Sequence, residues 1–181
     1  MFQSGRRGRY FLTPIGENPS DKTGSLAEPT AKRLANTSSV FLRLALGISF
    51  LSAVGDRFGF WGAFGQSHVA WGDFSRFIAY TAKLNWFMPS ATIPVLAWAS
   101  TCAEILLGVA LVLGAFTRVA AFLSGLLLLL FALVMTFAVG LEVPLSLSVF
   151  SASAGAFLLA TCGEYSWSLD SVLRRRLGRS G

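Results

Sequence analysis

The sequence has few of the residues from which metal, haem and thiol redox centres are built. Its 181 residues contain one histidine, His68, and two cysteines, Cys102 and Cys162. A single histidine excludes two-histidine haem ligation and an HExxH zinc site. The cysteines form no CxxC pair, and on a helix Cys102 would face away from Glu104. We therefore expect two inert buried thiols, no metal site and no covalently bound cofactor.

Charged residues are also scarce, at 13% against 54% hydrophobic residues, which is far more apolar than a soluble domain of this length. No charged residue occurs between Arg118 and Glu142 or between Glu142 and Glu164, and each gap matches the roughly 20 residues of a spanning helix. A net charge of +6 would suggest nucleic acid in a soluble protein, but membrane topology accounts for it here. No GxGxxG or P-loop pattern supports nucleotide binding. The sequence predicts a protein embedded in the lipid bilayer that binds no nucleic acid.

Four spans are predicted, at about 39–57, 91–116, 119–140 and 144–163. The first is long enough if Arg43 and Arg57 lie at its rims, where long basic side chains reach lipid headgroups. The second begins near Pro94, which suits a first helical turn, and only Glu104 interrupts it. Because backbone polar groups in lipid need internal partners, the expected fold is all-α, an integral membrane four-helix bundle.

The connection between the first two spans, roughly residues 58–90, is too long and too aromatic for a plain hairpin loop. Apolar side chains recur there at the spacing of one helix face and predict an extra amphipathic helix over 73–87: Phe74, Phe77, Ile78 and Thr81. Three of its tryptophans suit an interfacial aromatic belt: Trp61, Trp71 and Trp86. The connection either anchors the protein at the membrane surface or covers a cavity between the helices.

The distribution of lysine and arginine predicts the orientation. Residues 1–37 form a predicted disordered basic tail, Arg118 lies in the short link between the second and third spans, and residues 166–181 form a second basic tail with Arg174, Arg175 and Arg176. The opposite side carries few basic residues, so both termini are expected in the cytoplasm. Apolar residues of the second tail recur at helical spacing. The tail either lies along the anionic inner leaflet as an amphipathic helix or is solvated and only enforces topology.

Glu104 is a lone carboxylate in the second span. At 100° per residue, its face of the helix carries mostly small or hydroxylated residues, namely Ala97, Ser100, Thr101, Gly108, Leu111 and Ala115. Large apolar residues lie opposite, so Glu104 is predicted to point into the bundle. Arg57 is the first candidate for its partner, although we expect it about 15 Å away in height, so that a direct pair needs tilt or a shifted register. Other candidates are Tyr80, His68, Ser148 and Ser151.

Two roles for Glu104 remain open at this point. With no cation in reach, its carboxyl would be protonated and would clasp two helices through a hydrogen bond worth about 1 kcal/mol. Alternatively, it is a proton-active or ligand-binding carboxylate in a cavity, because acids inside a membrane are costly and are by default functional. Small residues four apart on the fourth span, Ser151 and Gly155, serve either internal packing or a homo-oligomer.

Three segments of the chain resemble the DoxX family of bacterial membrane proteins: RLALGISFLSAVGDRFG, YTAKLNWFMP, and AEILLGVALVLG running into FTRVAAF. The likeness covers about residues 38–163. Its most specific element is AE-x-x-x-G ending in a Gly-x-x-TR-x-AA turn, here from Ala103 to Ala121. The resemblance implies a DoxX-like domain over 38–165, a four-helix multi-pass protein of the bacterial inner (plasma) membrane.

The resemblance also implies a function. The best-described relatives are the small subunit of an archaeal thiosulfate:quinone oxidoreductase, DoxD, and partners of redox or oxidative-stress proteins. This chain is accordingly expected to be the membrane subunit or partner of a quinone-linked redox system that acts on sulfur compounds or in oxidative stress. If it takes part in an enzyme, it is at most a subunit that lacks its own electron-transfer cofactor. The expected partners are a bound quinone and a soluble redox partner protein. The alternative is a non-catalytic membrane scaffold or a small-solute permease.

The residues expected to carry such a function follow from the same resemblance. Glu104 matches the family's buried acid, Arg57 its basic residue after the first span, and Arg118 its inner-turn arginine. Glu104 is the expected catalytic group. The expected ligand-binding set is Arg57, Glu104, Tyr80, Ser148 and Ser151.

Overall fold

The computed structural model describes residues 19–162 and 168–170, with side chains described from residue 30 onward. Its helices are α1 (Pro19–Arg57), α2 (Phe74–Leu84), α3 (Ile93–Leu113), α4 (Thr117–Val139), α5 (Glu142–Ser146) and α6 (Val149–Thr161). A 3-10 turn at Ser90–Thr92 precedes α3, and these residues include no strand. The predicted all-α membrane bundle is confirmed.

Three helical segments are long and apolar enough to cross a membrane: Thr30–Arg57, Ser90–Leu113 and Thr117–Val139. They end within about three residues of the spans predicted at 39–57, 91–116 and 119–140, apart from the early start of the first. Glycines set two of these ends, because Gly114 and Gly140 take the positive φ values of 70° and 97° that stop a helix. Each of these three helical segments therefore coincides with one of the spans predicted from the sequence.

The fourth predicted span, 144–163, has a different form. It is divided into α5 and α6, because Leu147 leaves the helical region and Ser148 has a left-handed φ of 56°. α6 has 13 residues and is therefore roughly 20 Å long, shorter than a hydrocarbon core of about 30 Å. The fourth element is a broken helix, which the uninterrupted hydropathy of this stretch does not reveal.

The two predicted tails fall partly outside the described residues. α1 begins at Pro19, inside the segment predicted to be disordered, because adding residues to an existing helix is easier than starting one. The chain divides into two compact units between Leu34 and Ala35, and the helical bundle belongs to the second. Residues 1–18 and most of the second tail, including Arg174, Arg175 and Arg176, lie outside the described residues.

Glycines set the distance between α1 and α3. A Cβ built on Gly47 would lie 2.9 Å from the carbonyl oxygen of Gly108 and 2.8 Å from Val112. A Cβ on Gly108 would in turn lie 3.0 Å from Leu51. Small residues allow such an approach, which matters in lipid because helices gain little there by burying apolar surface against each other.

The other helix contacts follow the same rule. α4 packs against α6, where the ring of Phe157 covers Gly125 and Ser153 donates a 2.8 Å hydrogen bond to the Gly125 carbonyl. α6 meets α1 where Gly155 lies beside Leu42. Gly155 therefore serves internal packing, one of the two roles that the sequence left open.

Asp170 closes the end of the bundle at which α3 turns into α4, here called the Gly114 end. Its two carboxylate oxygens accept hydrogen bonds from the backbone N–H groups of Phe116 (2.9 Å) and Thr117 (2.8 Å). Its own N–H donates to the Gly114 carbonyl at 3.2 Å. Asp170 thus caps α4 from the far end of the chain, a contact that local sequence patterns cannot reveal.

Arg43 lies at the same end and is buried there, whereas the sequence analysis expected its side chain to extend outward to headgroups. Its side chain is 4% exposed, and its Nη1 would lie 2.6 Å from a Cβ on Gly114. The Asp170 carboxylate interacts electrostatically with it. A buried guanidinium needs such a charge of opposite sign, so burial against the turn replaces contact with lipid.

Replacing Gly47 with alanine should force α1 and α3 apart, because the new Cβ would contact the backbone of Gly108. We expect a loss of roughly 1–3 kcal/mol, measured by thermal unfolding in detergent. Gly155→Ala is the matched control, since its Cβ would meet only the flexible tip of Leu42 at 3.3 Å. Equal effects of the two substitutions would contradict this account of the crossing.

Replacing Asp170 with alanine should uncap α4 and remove the carboxylate beside Arg43, at a cost of about 1–2 kcal/mol in thermal unfolding. Asp73→Ala removes an exposed cap at α2 and should cost less. An unchanged melting temperature for Asp170→Ala would show that the capping contact contributes little.

Candidate functional site

A buried ion pair joins the last residue of α1 to the middle of α3. Arg57 Nη2 donates to both carboxylate oxygens of Glu104, at 2.7 Å to Oε1 and 2.9 Å to Oε2. Arg57 Nη1 donates to the Thr101 hydroxyl at 2.9 Å, and that hydroxyl donates to the carbonyl of Ala97 at 2.8 Å. Glu104 is 2% exposed and Arg57 5%, so both charges are inside the protein. The first candidate partner of Glu104 is therefore its partner in the structure.

The pair forms because both side chains lean toward each other. α1 and α3 are antiparallel and cross at Gly47 and Gly108, which puts Arg57 about 9 Å beyond Glu104 along the bundle axis. Helical side chains tilt toward the N-terminus of their own helix. Because α1 and α3 are antiparallel, the side chain of Arg57 tilts toward Glu104 and the side chain of Glu104 tilts toward Arg57. The sequence-based separation of about 15 Å was too large because it placed Glu104 at mid-membrane.

The predicted faces of α3 are confirmed. Its buried residues are Ile93, Ala97, Thr101, Glu104, Gly108 and Leu111. The large apolar residues of the opposite face are exposed, among them Trp98, Leu106, Val109 and Leu113. Cys102 is also exposed, so it faces away from Glu104 as predicted, although it is not buried.

Aromatic rings of the connection lie over Arg57, and we call Trp71, Phe74, Phe77 and Tyr80 the aromatic cover. The Phe77 ring centroid lies 3.8 Å from the guanidinium carbon of Arg57, close enough for a cation–π contact. Trp71 packs against the edge of Phe77 at 5.7 Å and against Tyr80 at 4.7 Å. One face of the guanidinium is therefore shielded from water.

α2 carries most of this cover and is attached to the bundle by further rings. Phe74 stacks on Phe58 at 5.5 Å and packs on Trp98 of α3 at 4.4 Å. The helix begins at Asp73, whose carboxylate accepts from the N–H of Arg76 at 3.0 Å. It is the amphipathic helix that the sequence predicts, and its apolar face lies on the ion pair.

Tyr80 lies in the outer layer of the cover, without a hydrogen bond to the pair. Burial raises the pKa of its hydroxyl above the ordinary value of 10.0, so it stays neutral at physiological pH. Trp71 is part of the cover. Trp61 and Trp86 are exposed and remain suited to an interfacial belt.

Asp56 is the residue at this site that the sequence analysis missed. It is 7% exposed, and its Oδ2 accepts hydrogen bonds from the backbone N–H groups of Ala70 (3.2 Å) and Trp71 (2.8 Å). The contact holds Trp71 in the aromatic cover. An acid directly before Arg57, at the end of an apolar helix and before a glycine-rich loop, was the available signal.

Two polar atoms at the site are buried without a hydrogen-bond partner among the described residues. They are Arg57 Nε, a donor, and Asp56 Oδ1, an acceptor. Buried polar groups are nearly always paired, with protein, water or ligand. The site therefore offers one donor and one acceptor to a further molecule.

Two residues of the expected ligand-binding set are not brought to the pair. Ser148 and Ser151 are exposed, because the break at Ser148 sets the direction of α6. The buried serine of α6 is Ser153, which bonds Gly125 instead. His68 is exposed on the connection, and Arg118 is exposed at the Gly114 end. Residues 19–162 and 168–170 contain no cluster of three or more side chains of the types that ligate metals.

Breaking the ion pair from one side should be more costly than removing both charges. Arg57→Met leaves Glu104 buried without a cation and should cost about 3–5 kcal/mol, whereas adding Glu104→Gln should recover part of that loss. Thermal unfolding of the two single variants and the double variant gives the coupling energy. Strictly additive effects would show that the two charges do not depend on each other.

A search of protein families matches the model described as DoxX to residues 38–141, more than half of the chain. Searches of curated proteins and of solved structures give no significant match. The matched residues include most of the first long apolar helical segment, all of the second and third, both members of the ion pair and the whole aromatic cover. The chain belongs to the DoxX family of membrane proteins.

Proposed function

We propose that the protein is the membrane subunit or partner of a quinone-linked redox system and binds a quinone head group at the Arg57–Glu104 pair. The observation that carries this proposal is the Nε of a buried arginine that has no hydrogen-bond partner within residues 19–162 and 168–170 and lies beneath an aromatic ring. A quinone carbonyl can only accept hydrogen bonds, so it requires a donor of this kind. Its flat ring suits packing against the aromatic cover.

The residues of the site have distinct tasks in this proposal. Arg57 donates to the quinone oxygen, and Glu104 balances the charge of Arg57 and fixes its orientation through two hydrogen bonds. The aromatic cover excludes water, which strengthens each polar contact inside. A bound quinone supplies two-electron, two-proton redox chemistry in the membrane.

The electrons come from a separate soluble protein in this proposal. The described residues carry no cluster of metal-ligating side chains, and Cys102 and Cys162 are both free thiols. With both termini assigned to the cytoplasm of a bacterial cell, the site lies toward the outer side of the inner membrane. The partner would therefore act on sulfur compounds or oxidants outside the cytoplasm.

A second candidate function is a non-catalytic membrane scaffold or small-solute permease. It is favoured by the fact that Arg57 already satisfies both carboxylate oxygens of Glu104. In that case the pair serves to fasten α1 to α3. Glu104→Gln would then lower thermal stability and leave the activity of any partner unchanged.

The test is extraction and mass spectrometry of quinones from protein purified in mild detergent. We expect near-stoichiometric quinone in the wild type and a loss of at least about tenfold in Glu104→Gln, since Arg57 loses its charged partner and its orientation. Glu142→Gln is the matched control, because it makes the same change at an exposed carboxylate at the start of α5.

The same measurement can overturn the proposal. An unrelated membrane protein purified in parallel defines the background. If the wild type carries no more quinone than this background while all variants remain folded, the site does not hold quinone, and the scaffold becomes the working function.

A further inference from the structure

We infer that Asp56 is a positioning residue that latches the aromatic cover over Arg57, and that residues 62–72 form the flap that opens to admit a ligand. The flap lies at the end of the bundle where α1 finishes, here called the Arg57 end. The identity of the admitted ligand as a quinone rests on the proposed function. The latch itself rests on the contacts of Asp56.

The latch is a pair of hydrogen bonds to one carboxylate oxygen. Asp56 Oδ2 accepts from Trp71 N–H at 2.8 Å and from Ala70 N–H at 3.2 Å, and these residues lie 15 and 14 positions later in the chain. Bonds to a charged acceptor are stronger than neutral ones, and this acceptor is buried. Since Oδ1 has no hydrogen-bond partner in the described part of the chain, the attachment depends on Oδ2 alone.

The latch is connected to the ion pair through two rings. Trp71, whose N–H is held, packs against the edge of Phe77, and Phe77 covers the guanidinium of Arg57. α2 itself is held separately, through Phe74 on Phe58 and Trp98. Release of residues 70–71 would therefore take Trp71 away from Phe77, whose ring could then turn off the guanidinium while the helix stays in place.

The flap has bounds that the backbone defines. Before it, Phe60 N–H bonds the Gly55 carbonyl and the Trp61 ring N–H bonds the Ser52 carbonyl, so this part stays on α1. Backbone hydrogen bonds within 62–69 join only near neighbours. Gly72, with a left-handed φ of 69°, ends the flap next to the cap of α2.

Besides the packing of Trp71 on Phe77 and Tyr80, a cation–π contact holds the flap. The guanidinium of Arg76 lies 3.8 Å from the ring of Phe64. This contact is at the surface, since the Arg76 side chain is about half exposed, and exposed cation–π contacts are weak. Asp56 is thus the main polar attachment of the flap to the buried site.

A purely structural Asp56 would affect the stability of the whole bundle, whereas a latch affects access to Arg57 alone. Phenylglyoxal, which modifies accessible guanidinium groups, separates the two when each arginine is followed by peptide mass spectrometry. Arg118, exposed at the Gly114 end, is the reactive reference, and Arg43, buried at that end, reports loosening of the whole bundle. In the wild type, Arg57 and Arg43 should both be protected.

In Asp56→Ala, the rate of Arg57 modification relative to Arg118 should rise about tenfold, because the flap loses both hydrogen bonds to a buried charged acceptor. Arg43 should stay protected. Asp56→Asn keeps a carbonyl oxygen that can accept both N–H groups, so Arg57 should remain close to its wild-type protection. This rescue separates loss of the contact from loss of the charge.

Gly72→Ala should distort the flap without changing Asp56, because a Cβ there would collide with the backbone nitrogen of Phe64 in the same segment and so displace the adjacent Trp71. It should also expose Arg57 selectively. Protection of Arg57 in both Asp56→Ala and Gly72→Ala would overturn the latch, as would an equal rise at Arg43. Neither readout depends on quinone, so the latch can fail while the quinone measurement succeeds, and the reverse.

Discussion

Two opposite charges inside a membrane bundle impose the strongest constraint on this structure. An isolated guanidinium or carboxylate is very costly in a medium of low polarity, and a pair is tolerated only with short, well-directed hydrogen bonds. Arg57 and Glu104 meet this condition through two contacts of 2.7 Å and 2.9 Å, with Thr101 as a third partner. That geometry exists because α1 and α3 cross closely and because α2 lies over the pair.

Much of the site could be predicted from local periodicity. A turn of 100° per residue placed Glu104 among small residues and set Trp98 on the opposite face, because helix geometry is nearly invariant. Arg57 was a good candidate for the partner, since it is the basic residue at the end of the first span. The amphipathic pattern of the connection predicted the position of α2, again because helix geometry is nearly invariant.

What could not be predicted depends on contacts between distant parts of the chain. The register of α1 on α3 is set by Gly47 and Gly108, and neither residue carries a signal that names its neighbour. Asp56 and Asp170 each bond backbone N–H groups far away in the sequence. The break at Ser148 left two expected site serines exposed, because hydropathy records which residues are apolar and not where the backbone turns.

A helix clasp and a ligand site make the same demands on Arg57 and Glu104 in the closed protein, so the contacts of the pair alone do not separate the two functions. Access separates them. A clasp requires only that the pair stay buried, and an apolar side chain at position 56 would serve that purpose as well as a charged one. A buried acid that holds a loop through a single oxygen makes a contact that can be broken and remade. Its place directly beside Arg57 favours a site that opens.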